Sequence, residues 1–317
     1  MGRIKLEELS NPNILPVILG PTASGKTELS IRLAASYDCE IISADSRQIY
    51  RYMDIGTSKP DKSTLESIPH HFIDILNPDE NYSAGQFEHY ARIEIEAIRS
   101  RNHIPVVVGG TGLYIKALCE GLFKLTDEEP DKDIRERLEK ELKEIGRDAF
   151  YMKLKAIDPI SAAKYSDKNP RRIMRALEFY ENTGMLFSDA HQIGNSKEIE
   201  YDCIYFGISM PRELLYERIN IRSSNMWSNG LIEETSKLLT MGYSKDLYSM
   251  NTIGYKEAIE YLEGALNYDE GLELLQKNTR HFAKRQLTWF RKNEHILWID
   301  TKMKVNLDYF TNFTKKV

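Results

Sequence analysis

The first 121 residues alternate between short apolar runs and amphipathic stretches with a helical period. Apolar runs of this length, separated by helical stretches, predict strands that are buried on both faces of a sheet. Ser83 and Gln86 have the spacing of a capping box and predict the start of a helix. The predicted strands are residues 14–19, 40–44, 72–76 and 104–108, and the predicted helices include 28–35 and 113–118. We therefore expect an α/β fold, a parallel sheet with helices on both faces.

The pattern of apolar and polar positions changes after residue 121, where it predicts helices but no strand. Ile134, Leu138, Leu142 and Ile145 form one apolar stripe that is expected to end at Gly146. Two further helices are expected to start at Asp158-Pro159 and Asn169-Pro170. A strand returns at 203–208, and helices are expected to fill the rest. We thus predict an α/β core formed by residues 1–121 and 201–317, and an all-helical insertion domain formed by residues 122–200.

Composition narrows the class of protein. The chain has 317 residues, a net charge of −5 and three cysteines, Cys39, Cys119 and Cys203, with no C-x-x-C pair. This spacing argues against a disulfide framework and a zinc site, and is typical of a reducing cytosol. The start of the chain lacks a signal-like apolar segment, and no apolar run reaches membrane-spanning length. We therefore expect a cytoplasmic protein with no membrane partner.

The strongest motif follows the first predicted strand and fits G-x-x-x-x-G-K-[ST] at every fixed position. It consists of Gly20, Pro21, Thr22, Ala23, Ser24, Gly25, Lys26 and Thr27, which we call the phosphate loop. Its glycines let the backbone wrap an anion, the N–H groups at the helix start point at that anion, and Lys26 adds a charge. Thr27 can place its hydroxyl on a magnesium ion. The motif predicts phosphate binding but does not identify the ligand.

Further candidate residues follow two other predicted strands. Asp45 lies just past residues 40–44, where a carboxylate can accept a proton or bind a metal, or can simply form a turn. Ser46 and Gln48 suit the reading of a base edge but are also ordinary loop residues. The strand at 104–108 is followed by Gly109-Gly110-Thr111 and not by an acidic residue, which weakens an ATPase interpretation.

Clusters of basic residues indicate a polyanionic partner such as RNA, although solvated helix faces are the more common explanation of such clusters taken alone. Arg218 and Arg222 are one helical turn apart and can clamp a diphosphate. The other clusters are Arg171, Arg172 and Arg175 at a helix start, and the stripe Lys277, Arg280, Lys284 and Arg291 on the last long helix.

Taken together, these segments resemble the tRNA dimethylallyltransferase family in its bacterial type. The family prenylates the adenosine on the 3′ side of the anticodon. The resemblance spans nearly the whole chain and rests on the phosphate loop and on residues 45–50, 53–60, 70–74, 109–114, 172–178, 253–255 and 283–291.

The resemblance implies a P-loop NTPase-like core that holds dimethylallyl diphosphate, with Mg²⁺ bound to the diphosphate and to Thr27. Asp45 would be the general base toward the exocyclic amine of adenine, while Lys26 and Arg222 would stabilise the leaving diphosphate. The implied partner is the tRNA anticodon stem-loop, and the implied state is a monomer. The implied tRNA contacts are Asp45, Ser46, Arg47, Gln48, Thr111, Arg135, Arg171, Arg172, Ile173, Met174, Arg175, Lys284 and Arg285.

Two other functions compete with this expectation. A small-molecule kinase would use the same loop for ATP, but the missing acidic residue after residues 104–108 argues against it. An RNA-binding protein with a vestigial loop would be expected to lack Lys26 or Asp45, and both are present.

Overall fold

Six parallel strands form the sheet of this protein, in a computed structural model that describes residues 13–121, 132–193 and 201–300. The strands are β1 (Ile14–Leu19), β2 (Cys39–Ala44), β3 (His70–His71), β4 (Ile104–Gly109), β5 (Asp202–Ser209) and β6 (Leu297–Asp300). Their spatial order is β3-β2-β4-β1-β5-β6. The phosphate loop follows β1, which lies near the middle of the sheet between β4 and β5.

Helices connect these strands and extend beyond them. Those outside the insertion are α1 (Lys26–Ser36), α2 (Lys62–Ser67), α3 (Ala84–Ser100), α4 (Gly112–Glu120), α9 (Arg212–Met226), α10 (Ile232–Thr240), α11 (Tyr255–Leu262) and α12 (Tyr268–Phe290). A π-helical turn, Trp227–Leu231, joins α9 to α10. In the insertion, the helices are α5 (Lys132–Ile157), α6 (Pro159–Lys164), α7 (Pro170–Thr183) and α8 (Phe187–Ile193).

Both faces of the sheet are buried, as the apolar runs of the sequence predict. Ile18 and Val106 pack with Leu29 of α1 in one core cluster. The alternating residues Val17 and Val107 point to the opposite face and are also fully buried. This arrangement confirms the predicted α/β fold with a parallel sheet.

One predicted strand is wrong, and two strands, β3 and β6, were missed. Residues 72–76 do not form a strand, because Phe72 and Asp74 have left-handed backbones with φ of 66° and 56°. The chain there turns so that Asp74 N–H donates to the Gln48 carbonyl oxygen at 3.1 Å. At the other edge, β6 pairs with β5 in a region where only helices were predicted.

The chain divides into two compact units, residues 1–120 with 199–317, and residues 121–198. In the second unit, Leu138, Phe150 and Ile173 belong to one buried core of the described helices. Gly146 has φ 77° and ψ 169°, which are not helical values, so α5 consists of two helical segments that meet at this glycine, and the first segment ends there as predicted. The predicted apolar stripe extends too far, because Ile145 is 44 % exposed.

Two predicted helix starts in the second unit are confirmed. Asp158 caps α6 by accepting a hydrogen bond from Ser161 N–H at 2.9 Å. Asn169 caps α7 by accepting one from Arg171 N–H at 3.1 Å. In both helices proline occupies the first turn, where its missing N–H costs nothing.

Candidate active site

The loops at the carboxyl ends of β1, β2 and β4 meet at a single cavity, completed by side chains from α9 and α12. Parallel α/β sheets bind ligands at this edge, where the loops that follow neighbouring strands converge. The residues that face the cavity include Thr22, Lys26, Asp45, Thr111, Arg222 and Gln286. The sequence-predicted phosphate loop, carboxylate and arginine are therefore brought together in one place.

The backbone of the phosphate loop takes up conformations that suit anion binding. Gly25 has φ 93° and precedes α1, and it has no side chain to cap the N–H groups of that helix. Ala23 has φ 62°, which is a strained conformation for a residue with a side chain. The Ser24 Oγ is buried and has no hydrogen-bond partner among the described residues. The N–H groups at the start of α1 are thus left available to a ligand, whereas the Ser24 hydroxyl does not line the cavity.

Two partly buried cations and one carboxylate face each other in this cavity. The Lys26 Nζ donates a hydrogen bond to the Pro21 carbonyl oxygen at 2.7 Å. Burial lowers the pKa of Lys26 to about 8, the charge of Asp45 opposes that change, and the charge of Arg222 adds to it. Burial likewise lowers the pKa of Arg222, again against the effect of Asp45. The three groups are therefore electrostatically coupled.

The backbone around Asp45 is fixed by hydrogen bonds to the turn after β4. Thr111 N–H donates to the Ala44 carbonyl oxygen at 3.1 Å, and Ser46 N–H donates to Thr111 Oγ1 at 3.0 Å. The Asp45 Oδ1 accepts a hydrogen bond from Arg47 N–H at 3.0 Å. These bonds hold the carboxylate at the cavity and leave its other oxygen available to a substrate.

Comparison with known proteins identifies the family. A model of the IPP transferase family matches residues 48–293, most of the chain. The chain belongs to the IPP transferase family. It is similar to a tRNA dimethylallyltransferase from Alkaliphilus oremlandii, with 47 % identity over 284 residues that cover 90 % of each chain. The resemblance inferred from the sequence is thereby confirmed.

Solved structures of IPP transferases have the same fold. A tRNA isopentenylpyrophosphate transferase from Bacillus halodurans is 40 % identical with a TM-score of 0.68, covering 94 % of this chain and 93 % of that one. A eukaryotic dimethylallyltransferase acting on tRNA is 28 % identical with a TM-score of 0.78, covering 93 % of this chain and 76 % of that one.

Two of the predicted tRNA contacts of this IPP transferase, Gln48 and Arg47, have partners within the protein. The Gln48 Nε2 donates to the Ser58 carbonyl oxygen at 3.3 Å, and its Oε1 accepts from Ser43 Oγ at 3.0 Å. The Arg47 guanidinium lies over the Phe282 ring, 5.0 Å from its centroid. Both side chains shape the cavity wall in this structure.

Sequence analysis assigned no role of its own to Gln286, which lies inside the family-like stretch 283–291. Its Oε1 accepts a hydrogen bond from Thr22 N–H at 2.9 Å, and its Nε2 donates to the Gly110 carbonyl oxygen at 2.9 Å. No local pattern indicates these contacts, because their partners lie 264 and 176 residues away.

Glu234 on α10 was also missed. Its carboxylate accepts hydrogen bonds from Asp54, Ile55 and Gly56 N–H at 2.9–3.0 Å and from the Tyr255 hydroxyl at 2.6 Å. The neighbouring residues 56–58 face the cavity. Glu234 therefore holds the backbone of one cavity wall in place, although its own side chain does not line the cavity.

The basic residues of the α12 stripe are mostly exposed, but one of them is hydrogen-bonded within the protein. Lys277, Lys284 and Arg291 of the stripe are exposed, and so is the neighbouring Arg285. Arg280 instead donates to Asn220 Oδ1 of α9 at 2.6 Å, so it joins two helices of the core. The predicted RNA contacts Lys284 and Arg285 remain accessible from solvent.

Of the predicted RNA contacts on α7 of the helical unit, some are exposed and others are buried. Arg171, Arg172 and Arg175 are exposed on α7. Ile173 and Met174 are only 0 % and 5 % exposed, so their side chains pack in the core, and the contact of these two residues with RNA stays a prediction that their backbone would have to meet. The reason is helical geometry, because the two apolar residues point to the core while the arginines point outward.

Arg135, the remaining predicted contact in the helical unit, is half exposed and already paired. Its guanidinium donates to Glu139 at 3.2 Å and to the buried Glu178 at 3.4 Å. Arg175 also pairs with Glu178, at 3.6 Å. An RNA phosphate would therefore compete with these carboxylates for both arginines.

A cluster of metal-binding residue types, formed by Glu40, His71 and Glu94, lies outside the cavity. Burial raises the pKa of Glu40, but hydrogen bonds from Arg101, His71 and His103 outweigh it and lower that pKa to about 2. With a guanidinium already bound to it, Glu40 forms an ion-pair cluster that favours a structural role.

No helix of the described residues is both long and apolar enough to cross a membrane.

Proposed function

We propose that the chain transfers a dimethylallyl group from dimethylallyl diphosphate to the N6 amine of the adenosine 3′ to the tRNA anticodon. The observation that carries this proposal is the cavity in which Asp45 faces Lys26 and Arg222 beside the phosphate loop. The family relationship supports the choice of donor and acceptor, since relatives carry the names tRNA dimethylallyltransferase and tRNA isopentenylpyrophosphate transferase.

The phosphate loop would bind the diphosphate of the donor. Negative charge grows on this group as the bond between the allylic carbon and oxygen breaks. The loop N–H groups, Lys26 and Arg222 would stabilise that charge. Lys26 would exchange its bond to the Pro21 carbonyl oxygen for a phosphate oxygen. The apolar side chains of Met226, Ile253 and Phe282 line the same cavity and suit the dimethylallyl group.

Asp45 would accept the proton that the amine must lose. The N6 nitrogen forms a bond to the allylic carbon, the diphosphate leaves with the electrons of the broken bond, and one N6 proton passes to the Asp45 carboxylate. The target adenine must leave its stack to reach this carboxylate. Ser46 and Thr111 lie beside Asp45 and would contact the extruded base.

Magnesium fits the oxygen-rich part of the cavity. Mg²⁺ prefers oxygen ligands and is commonly held by a few side chains together with substrate phosphates. Thr27 and Asp45 both face the cavity, and Thr27 with the diphosphate would hold the ion. When bound, the ion would neutralise part of the diphosphate charge.

The anticodon stem-loop would be held by exposed cations of both units. Lys284 and Arg285 on α12 are the proposed contacts in the core, next to Gln286. In the helical insertion, residues 122–200, the proposed contacts are Arg135, Arg171, Arg172 and Arg175.

We further propose that the protein works as a cytoplasmic monomer. Size-exclusion chromatography with light scattering would test the oligomeric state.

The test is a transfer assay on an unmodified anticodon stem-loop with Mg²⁺ and labelled dimethylallyl diphosphate, beside a reaction with labelled ATP. Label in the RNA from the prenyl donor alone is the expected result. Phosphoryl transfer from ATP without prenyl transfer would instead support a kinase. That alternative is disfavoured because Gly110 and Thr111 stand where a magnesium-binding aspartate would be expected.

A further inference from the structure

We propose that Gln286 is a positioning residue that holds the phosphate loop and the Asp45 turn at the separation the reaction requires. The proposal rests on the proposed function. Gln286 is 8 % exposed and projects from α12 between the ends of β1 and β4. Its amide contacts one backbone group from each loop, Thr22 N–H and the Gly110 carbonyl oxygen, both at 2.9 Å.

A glutamine amide suits this place because it accepts and donates at the same time. Thr22 offers only a donor and Gly110 offers only an acceptor, so neither a carboxylate nor an apolar side chain satisfies both. The approach is also close, since a Cβ added to Gly110 would overlap the Gln286 Nε2. Glycine at position 110 and glutamine at position 286 therefore form a matched pair.

The contacts continue from Gln286 to the proposed base. Gly110 precedes Thr111, whose Oγ1 accepts the hydrogen bond from Ser46 N–H next to Asp45. On its other side, Gln286 binds the phosphate loop through Thr22. One buried amide therefore links the groups that would hold the donor to the groups that would activate the acceptor.

The test compares Gln286→Met with Gln276→Met, which serves as a matched control. Gln276 lies on the same helix, but its Nε2 donates to Ser224 Oγ at 3.2 Å, and it does not line the cavity. We expect Gln286→Met to lower kcat by about 10- to 100-fold, the range that small misplacements of reacting groups produce. Stem-loop affinity should change by less than about threefold, and Gln276→Met should keep kcat within about twofold.

A second variant tells positioning from a general loss of folding. Gln286→Glu has nearly the same shape and can still accept from Thr22 N–H, but it cannot donate to Gly110. We expect it to retain a folded circular dichroism spectrum and to lower kcat as well, with a raised KM for dimethylallyl diphosphate because of the added negative charge. Near wild-type kcat in Gln286→Glu or Gln286→Met would overturn the proposal.

Hydrogen exchange gives a readout that does not depend on the proposed reaction. Because the Thr22 N–H is hydrogen-bonded to Gln286, the peptide that contains Thr22 should exchange its amide hydrogens faster in Gln286→Met than in the wild type. Its exchange rate in Gln276→Met should equal that of the wild type. Equal exchange in all three proteins would refute the positioning role. Absence of transfer by the wild type, with this exchange pattern intact, would instead refute the proposed function alone.

Discussion

Replacing Asp45 by asparagine removes the proposed base while keeping the shape of the site. The side-chain oxygen of the introduced asparagine can still accept the hydrogen bond that Asp45 Oδ1 accepts from Arg47 N–H at 3.0 Å. Ser46 and Thr111 also keep their hydrogen bond, because it does not involve the carboxylate. The substitution therefore changes charge and basicity with little change in packing.

The expected loss of rate follows from the role of a general base. Positioned bases contribute about 10²- to 10⁴-fold, which corresponds to about 3–5 kcal/mol of activation free energy. A second effect acts through Lys26, whose pKa of about 8 is supported by the charge of Asp45 and should fall when that charge is lost. Assays at pH about 6.5, which is below the Lys26 pKa of about 8 in the wild type, reduce this second effect.

The assay is single-turnover transfer to the stem-loop with saturating dimethylallyl diphosphate, together with direct binding of the stem-loop. Turnover should fall by at least about 10²-fold while the Kd for RNA changes little. Asp246→Asn is a suitable control, because Asp246 is exposed and does not line the cavity. An equal loss of turnover and of RNA affinity, or nearly unchanged turnover, would refute the role of Asp45 as base.

Three further predictions concern charge and anchoring. Because the pKa of Lys26 is lowered to about 8, kcat/KM for dimethylallyl diphosphate should fall as pH rises through about 8, and a flat profile to pH about 9.5 would contradict this. Lys284→Ala should weaken stem-loop binding and lower its salt slope by about 1, unlike Lys237→Ala on α10. Glu234→Gln should lower the free energy of unfolding by about 2 kcal/mol in urea titrations, with no such loss in Glu233→Gln.

Features with local signals were predictable from the sequence. Ser83 and Gln86 form the capping box of α3, as their spacing indicated. The strand-loop-helix context of the phosphate loop also followed from residues 14–35, where a buried strand precedes a glycine turn and a helix. In each case, the groups that interact lie within a few residues of one another.

Features that depend on distant contacts were not predictable. The strand β6 exists because it pairs with β5, with Trp298 packing where Gly207 leaves room for it. Residues 72–76 look like a strand but fold back on the loop that follows Asp45, with left-handed backbones at Phe72 and Asp74. Gln286 and Glu234 act on backbone groups far away in sequence, and such contacts leave no periodic pattern.

The most direct test of the account is to locate the transferred group. After reaction with dimethylallyl diphosphate and Mg²⁺, the stem-loop would be digested with nuclease and its nucleosides analysed by mass spectrometry. The control is an otherwise identical stem-loop in which purine riboside, which lacks the N6 amine, replaces the target adenosine. The account predicts a gain of one C₅H₈ unit on the adenosine 3′ to the anticodon, attached at N6, and none on the control. Prenylation at another atom or nucleotide, or equal modification of both stem-loops, would contradict it.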